Sequence, residues 1–266
     1  MHTIRKYYHL YLFQIHIALK RVFMFRANSL GMVLATSCWS LLILSTVFLT
    51  TRKVTTVFGY TPQELLALGA IQVIFLGFFH SMFAKNMDEL PEIINKGKLD
   101  SVLLKPIDDQ YGVSFSLVYP ATIVRVLIGV GTLAYLYAVG KLLIPSFINI
   151  FLFAGLLVVS EFLIYSIWFL IATTLIWFPT MENIIELLYN FNMISRYPTD
   201  FYREIGFTIA LITFPFSIAL TIPFKALTGK VTMGEVSTLL VLAAVFLFLS
   251  RRFWKFSLRH YTSASN

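Results

Sequence analysis

The chain is poor in charge. Of its 266 residues only 13% are Asp, Glu, Lys or Arg, while 58% are hydrophobic. Soluble domains carry about 25% charged residues. With a mean hydropathy of +0.79 and uncharged runs of about 20 residues, the sequence belongs to the all-α polytopic membrane class, and its length leaves no room for a sizeable soluble domain beside it. There is one cysteine, Cys38, inside an apolar run. It excludes an intrachain disulfide and reads as a packing residue. No cluster of His, Cys and carboxylates has metal-ligand spacing, and no serine sits in a nucleophile elbow, so neither a catalytic residue nor a metal site is assigned. Arg5, His9, His16 and Lys20 share a helical face, but two histidines without a carboxylate or thiol partner make a weak ligand set. The halves show no internal repeat, which counts against the carriers built from inverted repeats. The net charge of +8 points to cytoplasmic loops and anionic lipid rather than to nucleic acid.

One apparent motif also fails. Gly97-Lys98, in the stretch EIINKGKLDSVLLKP from Glu92 to Pro106, suggests a phosphate-binding loop. Such a loop needs a glycine five residues before the Gly-Lys pair and Ser or Thr after it. Here those positions are Glu92, an anion where phosphates would sit, and Leu99. If transport by this chain needs ATP, another chain must bind it.

The apolar runs set out the organisation. Residues 4–26 are basic and aromatic on different faces and predict a helix lying in the membrane interface. The start resembles a secretory leader only in Arg5 and Lys6. Gln14, His16, Lys20 and Arg21 interrupt it and no small-residue cleavage site follows, so it is expected to belong to the mature chain. Spans are expected at 27–51, at 62–84 after a Thr61/Glu64 capping box, at 111–140 and at 147–178. A shorter, more polar fifth element covers 181–195, and a last span follows the Thr232/Glu235 box. Residues 206–222 are apolar, but Pro215 breaks them and Pro223 ends them. They are expected as two short re-entrant helices on the external side. Six spans put both termini on one side. That side then holds Arg5, Lys6, Lys20, Arg21 and Arg26, the lysines of residues 86–110 with Lys85, and the basic tail. It outweighs the other side by roughly two to one, which assigns it to the cytoplasm.

Residues 86–110 then form a cytoplasmic segment. Leu90, Ile93 and Ile94 make one short apolar stripe, with Asp88 as the expected cap before Pro91, and Gly97 ends that turn. Leu99, Val102 and Leu103 make a second stripe. Glu92, Lys96, Lys98 and Asp100 flank them with both signs of charge. Such a segment suits a protein partner, or else lies solvated on headgroups. Arg125 and Glu161 fall near the middles of consecutive antiparallel spans and are expected to meet. The pair reads as a buried salt bridge, a substrate contact or a proton relay. Glu182, Glu186 and Asn190 are four apart and form one polar stripe, a candidate lining of a passage or a face towards other helices. His80 reads as an interfacial polar residue.

The run Ile94-x-x-Gly97-Lys98-Leu99-Asp100-x-x-Leu103-Leu104-Lys105-Pro106 resembles the cytoplasmic loop of type-2 ABC (ATP-binding cassette) transporter permeases, within a largely uncharacterised bacterial branch. Gly59-Tyr60-Thr61 with Glu64-Leu65 resembles the branch's second-span start. The ending Arg259-His260-Tyr261-Thr262-Ser263-Ala264-Ser265 resembles its tail, and Arg196-Tyr197-Pro198, more loosely, its fifth-span exit. The resemblance implies six spans, an interfacial N-terminal helix and a coupling helix after the second span, comprising Leu90, Glu92, Ile93, Ile94, Lys96, Gly97, Lys98, Leu99 and Asp100. It implies a pair of permeases, identical or homologous, above two copies of a separate ATPase that holds ATP and Mg. It also implies export across the bacterial cytoplasmic membrane, with no cofactor in this chain. The rival reading is a stand-alone ion-coupled carrier using Arg125 and Glu161.

Overall fold

A computed structural model describes residues 2–52, 56–57, 59–181, 183–194, 198–199 and 207–262. These are helical, with a single β-bridge between Val57 and Tyr60. The helices are α1 (His2–Met24), α2 (Arg26–Thr51), α3 (Pro62–Phe79), α4 (Lys85–Asn95), α5 (Leu99–Leu103), α6 (Asp109–Ser114), α7 (Val124–Ala138), α8 (Phe147–Thr173), α9 (Asn183–Ile194), α10 (Phe207–Leu227) and α11 (Met233–Leu258). Among the described residues, five stretches are long and apolar enough to cross a membrane: Arg26–Thr51, Pro62–Asn95, Pro120–Ala138, Phe147–Ile176 and Met233–Leu258.

α3 is almost wholly apolar and is buried on every face: Ala67, Leu68, Ala70, Ile71, Gln72 and Val73 are all at most 1% exposed. A helix of that kind takes the centre of a bundle. α7 packs closely against it through glycines. The ideal Cβ position at Gly77 lies 3.0 Å from the Val126 nitrogen, and that at Gly129 lies 2.6 Å from the Ala70 carbonyl oxygen. Small residues let apolar helices approach to backbone distance where lipid supplies no hydrophobic drive. α8 packs against α10 and α11. α2 and α11 turn Leu41, Leu42, Leu49, Val241 and Phe248 outward, the apolar exterior of a membrane bundle.

The bundle has two ends. At the cap end, both expected capping boxes form: the Glu64 N–H donates to Thr61 Oγ1 at 3.2 Å and the Glu235 N–H to Thr232 Oγ1 at 3.3 Å. The same two glutamates hold Lys230 at 2.5 Å and Lys225 at 2.6 Å. At the loop end, Lys6 Nζ donates to the Pro106 carbonyl at 2.5 Å and Asn95 Nδ2 to that of Pro179 at 3.2 Å. Arg251 from α11 pairs there with Asp108 and lies 3.6 Å from Asp109. Following the chain from end to end, α1 and the end of α11 both lie at the loop end.

Three expectations on element boundaries change. The second span does not stop at residue 84. α3 runs through a π turn, His80–Ala84, into α4, and the helix continues to Asn95. Its 34 residues extend about 51 Å, well beyond a roughly 30 Å hydrocarbon core. Asp88 is therefore mid-helix and caps nothing. The third span begins at Pro120 rather than at residue 111. Between α6 and Pro120 the backbone is irregular, held by the buried Asn86. Asn86 Oδ1 accepts from the Leu117 N–H at 2.9 Å and from Ser116 Oγ at 3.0 Å, while its Nδ2 donates to the Met82 and Leu117 carbonyls at 2.9 Å each. The Tyr119 N–H donates to the carbonyl of Ser81, within the π turn, at 3.0 Å.

Finally, the expected break at Pro215 and end at Pro223 do not form. α10 continues through both. Each proline removes one N–H, a loss that packed neighbours offset in apolar helices; Phe216, Leu220 and Phe224 are buried on α10. α9 and α10 together carry the chain from the loop end to the cap end. Tyr189 bonds Asp88 at 2.8 Å, Phe191 stacks on Phe216, and the Thr199 N–H donates to Thr221 at 3.3 Å. Among the described residues this adds a shorter apolar helix to the five long ones, in line with six passages.

Candidate functional site

The helical register of α3 separates two cavities. Residues 72, 76 and 80 follow each other at i, i+4, i+8 and face one. Residues 74, 78 and 82 face the other. On α7 the neighbours Arg125 and Val126 divide in the same way.

The first cavity is a polar cleft of about 400 Å³ between α2, α3, α7 and α9. Gln72, His80, Arg125, Glu186, Tyr189 and Asn190 contribute its polar lining. α3 and α9 are tied across it, since Gln72 Nε2 donates to the Asn192 carbonyl at 3.3 Å and the His80 ring lies 5.5 Å from that of Tyr189. The Tyr189 hydroxyl in turn donates to Asp88, on α4. Arg125 is 7% exposed and its Nε has no hydrogen-bond partner. Trp39, at 46% exposure, marks where the cleft reaches the bundle exterior.

The structure thus brings Arg125 and His80, which the sequence placed in separate roles, together with Glu186 and Asn190 of the polar stripe. Glu182 lies outside the described residues, as do Arg196, Tyr197 and residues 263–265. Arg125 and Glu161 do not meet. Glu161 belongs to the second cavity, about 610 Å³ and almost wholly apolar, lined among others by Phe78, Met82, Phe83, Phe153 and Phe162. It is 6% exposed, with both carboxylate oxygens unpartnered among the described residues. The expected pairing assumed that both lie mid-span. The depths do match, since Arg125 lies about 20 Å from the cap end of α7 and Glu161 about 21 Å from that of α8; what differs is the face, with Arg125 beside Gly77 on the side of the first cavity and Glu161 lining the second.

The segment 86–110 also differs from expectation in which face it offers. Leu90 and Leu99 are fully buried, Ile94 is 5% exposed, and Ile93 packs partly buried against the core. The apolar stripes therefore anchor the segment to its own bundle. Gly97, at φ +65°, makes the left-handed turn between α4 and α5. What faces outward is Glu92, bridged to Lys98 at 2.6 Å and Lys96 at 3.2 Å, with Leu103 and Leu104, the last 85% exposed. Asp100 is half-buried beside them.

Two features escaped the sequence reading. One is Asn86, whose only signal was an amide in a helix otherwise read by its apolar stripe. The other is the loop-end clasp. Arg251 Nη1 donates to Asp108 Oδ1 at 2.9 Å and to Gln110 Oε1 at 3.2 Å, and the Asp108 N–H donates to the Tyr7 hydroxyl at 2.8 Å. Burial pushes the hydroxyl of Tyr11, on the same helix as Tyr7, above its ordinary pKa, with Tyr111 nearby adding to the shift.

Comparison with known proteins adds one match: a family described as "ABC-2 family transporter protein" covers residues 6–265. No curated protein and no solved structure matches the chain.

Proposed function

The chain belongs to the ABC-2 transporter family, as the membrane-spanning permease subunit, and from that premise we propose that it exports a substrate across a bacterial cytoplasmic membrane, driven by a separate ATPase docked on the loop end. Two ATPase copies would hold ATP and Mg beneath a pair of permeases, identical or homologous. This chain would supply no ATPase site of its own. Both termini would face the cytoplasm. The basic residues Lys96, Lys98, Lys105, Arg252 and Lys255 crowd the loop end, which supports that orientation.

The observation that carries the coupling is the continuous helix from Pro62 to Asn95. Its α4 end presents the charged outer face of Glu92, Lys96 and Lys98. Its α3 part lines the cleft through Gln72, Leu76 and His80. A push on α4 is therefore delivered to the cleft by a rigid element. The π turn at His80–Ala84 is its irregular point, and such turns often mark functional positions. Glu186 and Asn190 would line the passage from the side of α9. The stand-alone carrier loses its basis, because Arg125 and Glu161 line different cavities.

The docking face is tested by Leu104→Asp and Glu92→Lys in chain purified with its ATPase from mild detergent. Both variants are expected to keep native thermal stability and lose at least about tenfold in retained ATPase, the equivalent of about 1.4 kcal/mol. Unchanged retention would remove the docking face. Transport by the chain alone, driven by a proton gradient and indifferent to ATP, would remove the coupled mechanism.

A further inference from the structure

Arg125 poses a question that the bundle leaves open. Its guanidinium is always cationic, the residue is only 7% exposed, and Nε is buried without a hydrogen-bond partner among the described residues. A charge held in a membrane span is costly and is ordinarily paired. Among the described residues three carboxylates are candidates, and none of them pairs with it. Glu161 lines the other cavity. Asp88 accepts from Tyr189 and lies 3.8 Å from Lys85. Glu186 is exposed on the same cleft and makes no ion pair among the described residues. The rest of the polar lining consists of amide, imidazole and phenol side chains, which suit an anionic oxygen without demanding a charge. The apolar part comprises Trp39, Ile43, Leu76 and Met193, and the cleft opens at Trp39 on the lipid-facing side.

We propose that the Arg125 cleft binds the anionic group, a phosphate or carboxylate, of an amphiphilic substrate whose apolar part lies against Trp39, Ile43 and Leu76. Arg125 supplies charge-assisted hydrogen bonds to the anion, and Asn190 and His80 flank it. Arg125 lies about 8 Å in from the start of the α7 span at Pro120, near the level where an amphiphile in that leaflet holds its headgroup. Glu186, at the rim, opposes the anion and weakens its hold, which favours release over permanent occupancy. The assignment of this ligand as cargo rests on the permease reading, whereas its binding does not require an ATPase.

The test uses the full chain in phosphatidylcholine nanodiscs. The probes are a fluorescent short-chain phosphatidic acid and the matched diacylglycerol, which differs only in lacking the phosphate. The native chain is expected to bind the phosphatidic acid at least about tenfold more tightly, as hydrogen bonds to a charged group imply. Arg125→Gln should abolish the preference and Arg125→Lys retain part of it. Glu186→Gln should raise it about threefold, the scale of one partly exposed charge. Equal binding of the two probes by the native chain overturns the proposal, as does a preference that persists in folded Arg125→Gln. Full displacement of the probe by inorganic phosphate alone overturns its amphiphile half and assigns the site to a soluble anion. If Arg125→Gln instead dissociates a pair of chains and leaves the lipid preference intact, the counter-ion is a carboxylate of the second copy and the proposal falls. Should Arg125→Gln not fold, Glu186→Gln decides alone, and an unchanged preference there counts against it. Loss of ATPase retention with intact lipid preference would sink the coupling reading and leave this one standing.

Discussion

Two cavities lie on opposite sides of the α3–α7 seam, and each is given one buried charge. Around Arg125 amide, imidazole and phenol groups join an apolar side of Trp39, Ile43, Leu76 and Met193. Around Glu161 the lining is phenyl rings and aliphatic carbon. The same two helices build both, because an α-helix turns about 100° per residue and shows different faces to different neighbours. The contrast teaches that charge complementarity in a sequence does not specify a contact. Arg125 and Glu161 are opposite in sign and on consecutive spans, yet the bundle assigns them to separate environments. One is fit to meet an anion, the other is enclosed by apolar surface.

The seam is where the comparison is most easily broken. Gly129→Val is expected to have the largest effect. Even a Cβ there would sit 2.5 Å from Ile74 Cγ1 and 2.6 Å from the Ala70 carbonyl oxygen, and backbone cannot move aside cheaply. A cost of about 3 kcal/mol or more is expected, read as loss of monodisperse protein and of thermal stability in detergent. Native-like yield would mean that the two cavities are not divided by a tight seam.

Asn86→Leu comes next. It leaves the N–H and carbonyl of Leu117 without the partners that hold the break before α7. About 2 kcal/mol is expected from unsatisfied buried backbone groups. The placement of Arg125 should loosen with it, so cysteine labelling at position 125 should become faster in the Asn86→Leu background. Unaltered labelling would show that Asn86 does not set the register of α7.

Arg251→Gln tests the loop end without touching either cavity. Its pairs are partly exposed, at 32% for both Arg251 and Asp108 side chains, so about 1 kcal/mol is expected. Trypsin should cleave after the exposed Lys98 faster, while the phosphatidic acid preference of the cleft stays native.

The smallest effect is the sharpest for the comparison. Glu161→Gln removes no hydrogen bond formed within the described residues, so it is expected to change stability by less than about 1 kcal/mol. Breaking a buried ion pair would cost about 3–5 kcal/mol. The double-mutant coupling between Glu161→Gln and Arg125→Gln should stay within about 0.5 kcal/mol, the range for sites without shared partners. A coupling above that restores the salt bridge.

Much of the fold was legible because it is local. Thr61 with Glu64 and Thr232 with Glu235 are three residues apart, and both boxes form as read. Gly97 was read as a helix terminator and takes the left-handed conformation that only glycine adopts without strain. The spans follow from uninterrupted apolar length. What was misread depended on neighbours. Pro215 and Pro223 look like breaks in isolation but are carried within α10 by surrounding helices. Leu90, Ile94 and Leu99 look like a docking stripe, yet periodicity says only that a face is apolar and not which surface covers it. Their own bundle covers them.

By itself, then, the sequence determined a six-passage helical membrane protein, where its helices are capped, and which of its faces are apolar. All of these depend on residues within a turn or two of one another, or on the mismatch between apolar side chains and water. The tertiary structure alone decided what Arg125 faces. That depends on where α7 begins, which Asn86 and Ser81 set from the preceding span. No pattern within α7 encodes a hydrogen bond made by a residue some thirty positions away.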